Sequence, residues 1–161
     1  MYHVRFKGTH FEAGLKWGAA LGKRGNFILS RVPFPVTEER RQFAARCAPI
    51  YRRYCPEIVQ EVEGIARGQG CIAEELQAVL FSMYAMPPGP CCSCFAVTNE
   101  SGIIFGRNSD FLPELEKLNM NVIYSLSGGA LGFTGNTTAF VEMEDGVNES
   151  GLAAGLSLIH I

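Results

Sequence analysis

Cys92, Arg107 and Asp110 are the residues whose types and spacing could do chemistry in this chain. Cys92 opens the β-like run Ser93-Cys94-Phe95-Ala96-Val97, and Asn99-Glu100-Ser101-Gly102 reads as a reversing turn. The return run Ile103-Ile104-Phe105 ends in Gly106-Arg107-Asn108-Ser109-Asp110-Phe111. Two antiparallel strands joined by such a turn bring the start of the first beside the end of the second. The expectation is a thiol beside a guanidinium and a carboxylate. A neighbouring cation lowers a thiol pKa, and a carboxylate can orient a base as the third group of a triad does.

Such a thiol needs a base. The histidines are His3 and His10 near the start and His160 in the tail, all far from Cys92 in sequence. A cut before the cysteine supplies a different base, the new α-amine, whose reference pKa of about 7.7–8.0 leaves much of it able to accept a proton near neutrality. The nucleophile must then follow a cleavable segment and start a strand. Pro87-Pro88-Gly89-Pro90-Cys91 before Cys92 fits both requirements.

The competing reading of Arg107 and Asp110 is a buried ion pair stitching a strand end. Cys91, Cys92 and Cys94 lack the Cys-x-x-Cys spacing of a metal knuckle, so no metal is expected. Cys47, Cys55 and Cys71 read as small buried apolar residues, and Cys94 as structural. Asn108 supports the turn, and residues 145–151 read as an exposed turn before a final strand, carrying structure rather than chemistry.

The elements that must position these residues divide near the Pro87–Pro90 break. Before it the chain reads mostly helical. A short strand-like start (residues 2–6) leads through Gly8 and Thr9 into a helix with Phe11, Leu15, Ala19 and Leu21 on its apolar side. Gly14, Gly18 and Gly22 recur at intervals of four and predict a smooth face for another backbone. Thr37 caps a second helix over 38–54, Pro56 starts a third ended by Gly68 to Gly70, and a fourth spans 74–86. Beyond the break, strands are predicted over 95–99, 103–107, 122–126, 130–134 and 138–143.

Length and composition bound the rest. A chain of 161 residues with 47% hydrophobic side chains has the size and core of one domain. A net charge of −2 makes no case for nucleic acid or an anionic membrane. The opening Met1-Tyr2-His3-Val4-Arg5-Phe6 lacks the pattern of a signal peptide, and no apolar run is long enough to span a bilayer. A cytoplasmic location is therefore expected. There the six cysteines stay reduced, and the Asn-X-Ser/Thr triplets at Asn99, Asn136 and Asn148 are chance matches.

Three ordered motifs carry a family resemblance: Cys92-Ser93-Cys94-Phe95-Ala96, then 106–111, then Asp145-Gly146-Val147-Asn148-Glu149-Ser150-Gly151-Leu152-Ala153-Ala154-Gly155-Leu156. They resemble those of the choloylglycine hydrolase and acyl-CoA:6-aminopenicillanic acid acyltransferase group of N-terminal nucleophile hydrolases. The helical first half, with Gly8-Thr9-His10-Phe11-Glu12-Ala13-Gly14, is similar to the acyltransferase branch, peptidase family C45.

The resemblance implies an α+β chain. Its αββα fold would be incomplete, with a helical pro-region (1–91) followed by antiparallel strands forming the first half of a β-sandwich domain (92–155). It implies autoproteolysis that frees Cys92 as nucleophile, with Arg107 lining the site and Asp110 bonding the new amine. The cut falls at Cys91–Cys92 by motif register, with Pro90–Cys91 as the alternative. The activity implied is hydrolysis or acyl transfer on linear, non-peptide amide bonds through an acyl-enzyme, without a cofactor. Small-molecule amides or acyl-CoA would be substrates, and a homo-oligomer stays open. The rival from another class is a non-catalytic helical-plus-β binding module whose Cys/Arg/Asp cluster is structural.

Proteins of this group run to roughly twice the length, so the chain reads as an N-terminal fragment, expected to be inactive as written. Its last residues, 156–161 (Leu156-Ser157-Leu158-Ile159-His160-Ile161), are what CTGTCTCTTATACACATC encodes. That resembles a transposase-adapter sequence and predicts an adapter-derived tail. In bile-salt hydrolases the position matching Ser157 is an oxyanion-hole asparagine, so the resemblance assigns Ser157 no such contact.

Overall fold

The computed structural model describes every residue except 1, 84, 87–91, 111, 140 and 158–161. Helix α1 (His10–Gly22) starts at Thr9, whose hydroxyl accepts from the Glu12 backbone N–H while the Glu12 carboxylate accepts from that of Thr9. This reciprocal box satisfies donors that a helix start otherwise leaves open. Helix α2 (Glu38–Tyr54) is capped by Thr37, and helix α3 (Pro56–Gln69) opens on Pro56 and closes at Gly70. Helix α4 (Ala73–Leu80) ends six residues before the predicted Met86. Its continuation is diverted: Ser82 Oγ donates to the Ala78 carbonyl at 2.6 Å, and Arg40 takes Ser82 Oγ at 2.8 Å and the Met86 carbonyl at 2.9 Å. Side chains that engage backbone groups in this way compete with the helical ladder.

Helices α1 and α3 pack at backbone distance. A Cβ at Gly14 would run into the Glu61 carbonyl, and one at Gly68 would lie 2.5 Å from the Leu15 carbonyl oxygen. The glycine spacing thus meets a second glycine row, Gly64 and Gly68. The close approach turns α1 so that Ala13, Trp17 and Leu21 are buried, while Phe11 and Leu15 are more than a third exposed.

Strand β1 (Tyr2–Gly8) pairs in parallel with β4 (Met120–Leu126), so the sheet is mixed rather than antiparallel throughout. The order is β1-β4-β5-β7-β8, with β5 (Phe133–Ala139), β7 (Asp145–Asn148) and β8 (Ala153–Gly155) joined antiparallel. A short β6 (Glu142–Met143) also pairs with β5. Where two strands were predicted over 130–134 and 138–143, one strand spans 133–139. The predicted turn from 145 onward begins as β7.

Along β4, Met120, Val122 and Tyr124 are buried and Ile123 and Ser125 are exposed, the period-two pattern of a sheet covered on one side. The covering layer is helical, and Phe6, Trp17, Leu21, Val62, Ile65, Leu76, Met83, Val122 and Tyr124 form one core.

Strands β2 (Ser93–Asn99) and β3 (Gly102–Asn108) make a separate hairpin with the predicted turn. Asn99 Oδ1 accepts from the Ser101 N–H at 2.8 Å, and Gly102 takes a φ of 127°. The hairpin lies against the end of β8: the Phe105 ring occupies the space a Gly155 side chain would need. No helix among the described residues is long and apolar enough to cross a membrane.

Candidate active site

The hairpin register sets Cys94 opposite Arg107 and Ser93 opposite Asn108. One step further, Cys92 reaches the level of Ser109, and its Sγ lies 3.7 Å from Ser109 Oγ. Cys92 is buried, at 2% exposure. Its carbonyl accepts from Ser157 Oγ at 3.5 Å. The thiol also lies 3.8 Å from Glu144 Oε2.

Glu144 is the centre of the cluster. Its carboxylate forms an ion pair with Arg107 Nη2, and both side chains are nearly removed from water. Arg107 Nη1 reaches Asp145 Oδ2 at 3.3 Å, and its Nε donates to the Leu156 carbonyl at 3.1 Å. The Leu156 N–H donates to the Glu144 carbonyl at 2.8 Å. Asp145 Oδ1 accepts from the Asn136 N–H at 2.9 Å and from Asn136 Nδ2 at 3.3 Å. Burial alone would push the Arg107 pKa down. Burial is the largest single influence, but Glu144, Cys92 and Asp145 together outweigh it, and the guanidinium is held above its ordinary value. Arg107 therefore stays charged beside the thiol.

Of the three residues singled out in the sequence, Cys92 and Arg107 meet in this cluster. Asp110 is exposed and accepts from Asn108 Nδ2 at 2.7 Å, so in the uncut chain its described partner is Asn108 rather than Cys92. Two residues that sequence reasoning passed over stand at the centre instead. Asp145 was assigned to an exposed turn and is a half-buried strand residue, and Glu144 was not singled out. A signal existed: Val141-Glu142-Met143-Glu144-Asp145 places acids within an apolar run, and a buried acid requires a cation.

Among the described residues, free thiols occur at Cys47, Cys55, Cys71, Cys92 and Cys94. Cys55 is exposed, against expectation, because it sits at the junction between α2 and α3. Burial raises the pKa of the Cys71 thiol, as suits a packing residue. Both cuts, Cys91–Cys92 and the alternative Pro90–Cys91, involve Cys91, which lies outside the described residues. Next to the cluster, a cavity of about 370 Å³ is bounded by Met143, Glu144, Gly155 and Leu156.

Residues 97–161 match the family model described as acyl-coenzyme A:6-aminopenicillanic acid acyl-transferase. The match begins within β2 and takes in Arg107, Asp110, Glu144 and Asp145 while stopping short of Cys92. It supports, over that part of the chain, the group to which the motifs pointed. No curated protein matches the chain.

Proposed function

We propose that this chain is a fragment of the precursor of a cysteine amidohydrolase or acyltransferase that activates itself by cutting before Cys92. The thiolate of Cys92 attacks the carbonyl of a small-molecule amide or an acyl-CoA thioester. The resulting acyl-enzyme passes its acyl group to water or to an amine. The freed α-amine of Cys92 serves as the base, Arg107 supplies positive charge beside sulfur, and Asp110 comes to orient the amine. The helical residues 1–91 form the pro-region, and 92–155 begin the β-sandwich of an αββα fold.

The observation that carries this reading is the position of Cys92. It is a buried thiol at the start of a strand, in contact with a charged cluster that contains Arg107, a residue of the matched segment. Burial at 2% exposure also suits an uncut state, in which substrate has no access to sulfur.

The test is the intact mass of the full gene product, wild type beside Cys92→Ala. Two chains from the wild type, the second beginning at Cys92, and one chain from the variant are expected. An uncut wild type would remove the amine-base mechanism. It would favour the second reading, a binding module in which the buried Arg107–Glu144 pair only joins the hairpin to the large sheet.

A further inference from the structure

Cutting before Cys92 raises a question of proton accounting. In the mature enzyme the α-amine of Cys92 takes the thiol proton. In the uncut chain that nitrogen is an amide whose lone pair is delocalised into the carbonyl, and it is no base. Among the described residues the histidines are engaged elsewhere, His3 with Asn121 and His10 with Glu61. The described side chains within hydrogen-bond reach of the thiol are Ser109 and Glu144. Of those two, the ionised carboxylate is acceptor-only and basic, while the hydroxyl is a poor base.

We propose that Glu144 is the general base of self-cleavage, taking the Cys92 thiol proton and delivering it to the departing backbone nitrogen. This rests on the reading of Cys92 as the residue freed by the cut. As the proton passes from Sγ to Glu144 Oε2, sulfur bonds to the carbonyl carbon of Cys91. Collapse of the tetrahedral intermediate breaks the carbon–nitrogen bond, and the proton moves from Glu144 to the leaving nitrogen. The products are a thioester between the Cys91 carbonyl and Cys92 Sγ and a free α-amine on Cys92. Nothing is oxidised or reduced. Water then hydrolyses the thioester, leaving a carboxyl on Cys91 and the thiol on Cys92.

The geometry favours Glu144 in this role. Its side chain is only 3% exposed, so bulk water does not compete for the thiol proton. The Leu156 N–H anchors its backbone, and Arg107 holds its carboxylate. Thiols are in general much weaker acids than carboxylic acids, so transfer must accompany formation of the carbon–sulfur bond. The Arg107 charge beside sulfur and carboxylate stabilises whichever of them is anionic. Asp145 holds Arg107 independently, at 3.3 Å, so guanidinium placement and proton transfer are separable by mutation.

The experiment follows cleavage of the full gene product over time by intact mass, comparing wild type, E144Q, E144D and D145N, each checked for a cooperative thermal transition. General-base assistance predicts that E144Q cuts about 10²–10⁴-fold more slowly, with E144D between it and the wild type and D145N, which loosens Arg107 but leaves the base, slowed clearly less than E144Q. E144Q cutting at the wild-type rate overturns the proposal and leaves the reading of Cys92 intact. D145N slowed as much as E144Q also overturns it, since Glu144 would then act only by holding Arg107. A wild type that stays whole overturns both. Should E144Q fail to fold, E144D decides: slowing by at least about tenfold supports the base, and an unchanged rate overturns it.

Discussion

Arg107 and Glu144 meet where the hairpin joins the large sheet, with their side chains 4% and 3% exposed. The pair connects two sheets that share no backbone ladder, and it does so beside the Cys92 thiol.

Removing one partner strands the other. Arg107→Met leaves two carboxylates, Glu144 and Asp145, without their shared cation. The expected loss is about 3–5 kcal/mol. Arg107→Lys, which keeps the charge but lacks the planar fork, should lose less. Urea denaturation of the three proteins checks the order.

The α1–α3 contact makes a paired prediction. Gly14→Ala drives a methyl into the Glu61 carbonyl, and forced overpacking costs roughly 1–3 kcal/mol. At Gly22 the nearest atom to a new Cβ is 3.7 Å away. Gly22→Ala should therefore be neutral or gain up to ~1 kcal/mol from helix propensity. Thermal melting of both variants distinguishes a packing requirement from a general dislike of substitution.

Glu142 lies in the groove between the helices and the sheet, bounded also by Tyr51, Phe81, Phe133 and Val141. Burial, and then repulsion from Glu144, push its pKa well above the usual carboxylate range. The unfolded chain thus releases this proton first, near pH ~4.3. Stability is full below that value and declines as pH rises through the folded one. Glu142→Gln should raise the urea midpoint at pH 7 and change it little at pH 4.

Tyr124 donates to Glu61 Oε1 at 2.5 Å, and Glu61 Oε2 lies 3.2 Å from His10 Nδ1, so one carboxylate joins β4, α3 and α1. Burial, then the Glu61 charge and hydrogen bond, raise the phenol far above its ordinary value. Its contribution to stability is complete below pH ~10, the unfolded value, and is lost at more alkaline pH. Tyr124→Phe should cost about 1.5–3 kcal/mol at pH 7, the worth of a hydrogen bond to a charged group. It should also flatten the alkaline limb of the stability profile. Tyr51, raised by burial and then by Glu142, keeps part of that limb.

Much of the secondary structure was legible because its causes are local. Thr9 and Thr37 cap their helices through atoms three residues away, Pro56 starts α3, and Asn99 turns the hairpin through Ser101. The hairpin then placed Cys92 near Arg107 by register alone. The glycine spacing likewise announced a backbone contact, although its partner row in α3 was not identified.

Which acid meets which cation was not legible, for the opposite reason. Glu144 lies 37 residues from Arg107 and 52 from Cys92. Nothing in its immediate neighbours distinguishes it from Glu142, which faces the helices instead. Asp110, close to Arg107 in sequence, had the stronger local claim, yet its described partner is Asn108.

The sequence by itself therefore determined the helices, the hairpin and the thiol–guanidinium neighbourhood, since capping, turn and register act over a few residues. Only the tertiary structure decided that β1 lies parallel to β4, 118 residues on in the His3–Asn121 contact, and that Glu144 and Asp145 neutralise Arg107. Those choices depend on which surfaces are buried together. A charge selects its partner only when packing has removed water from both.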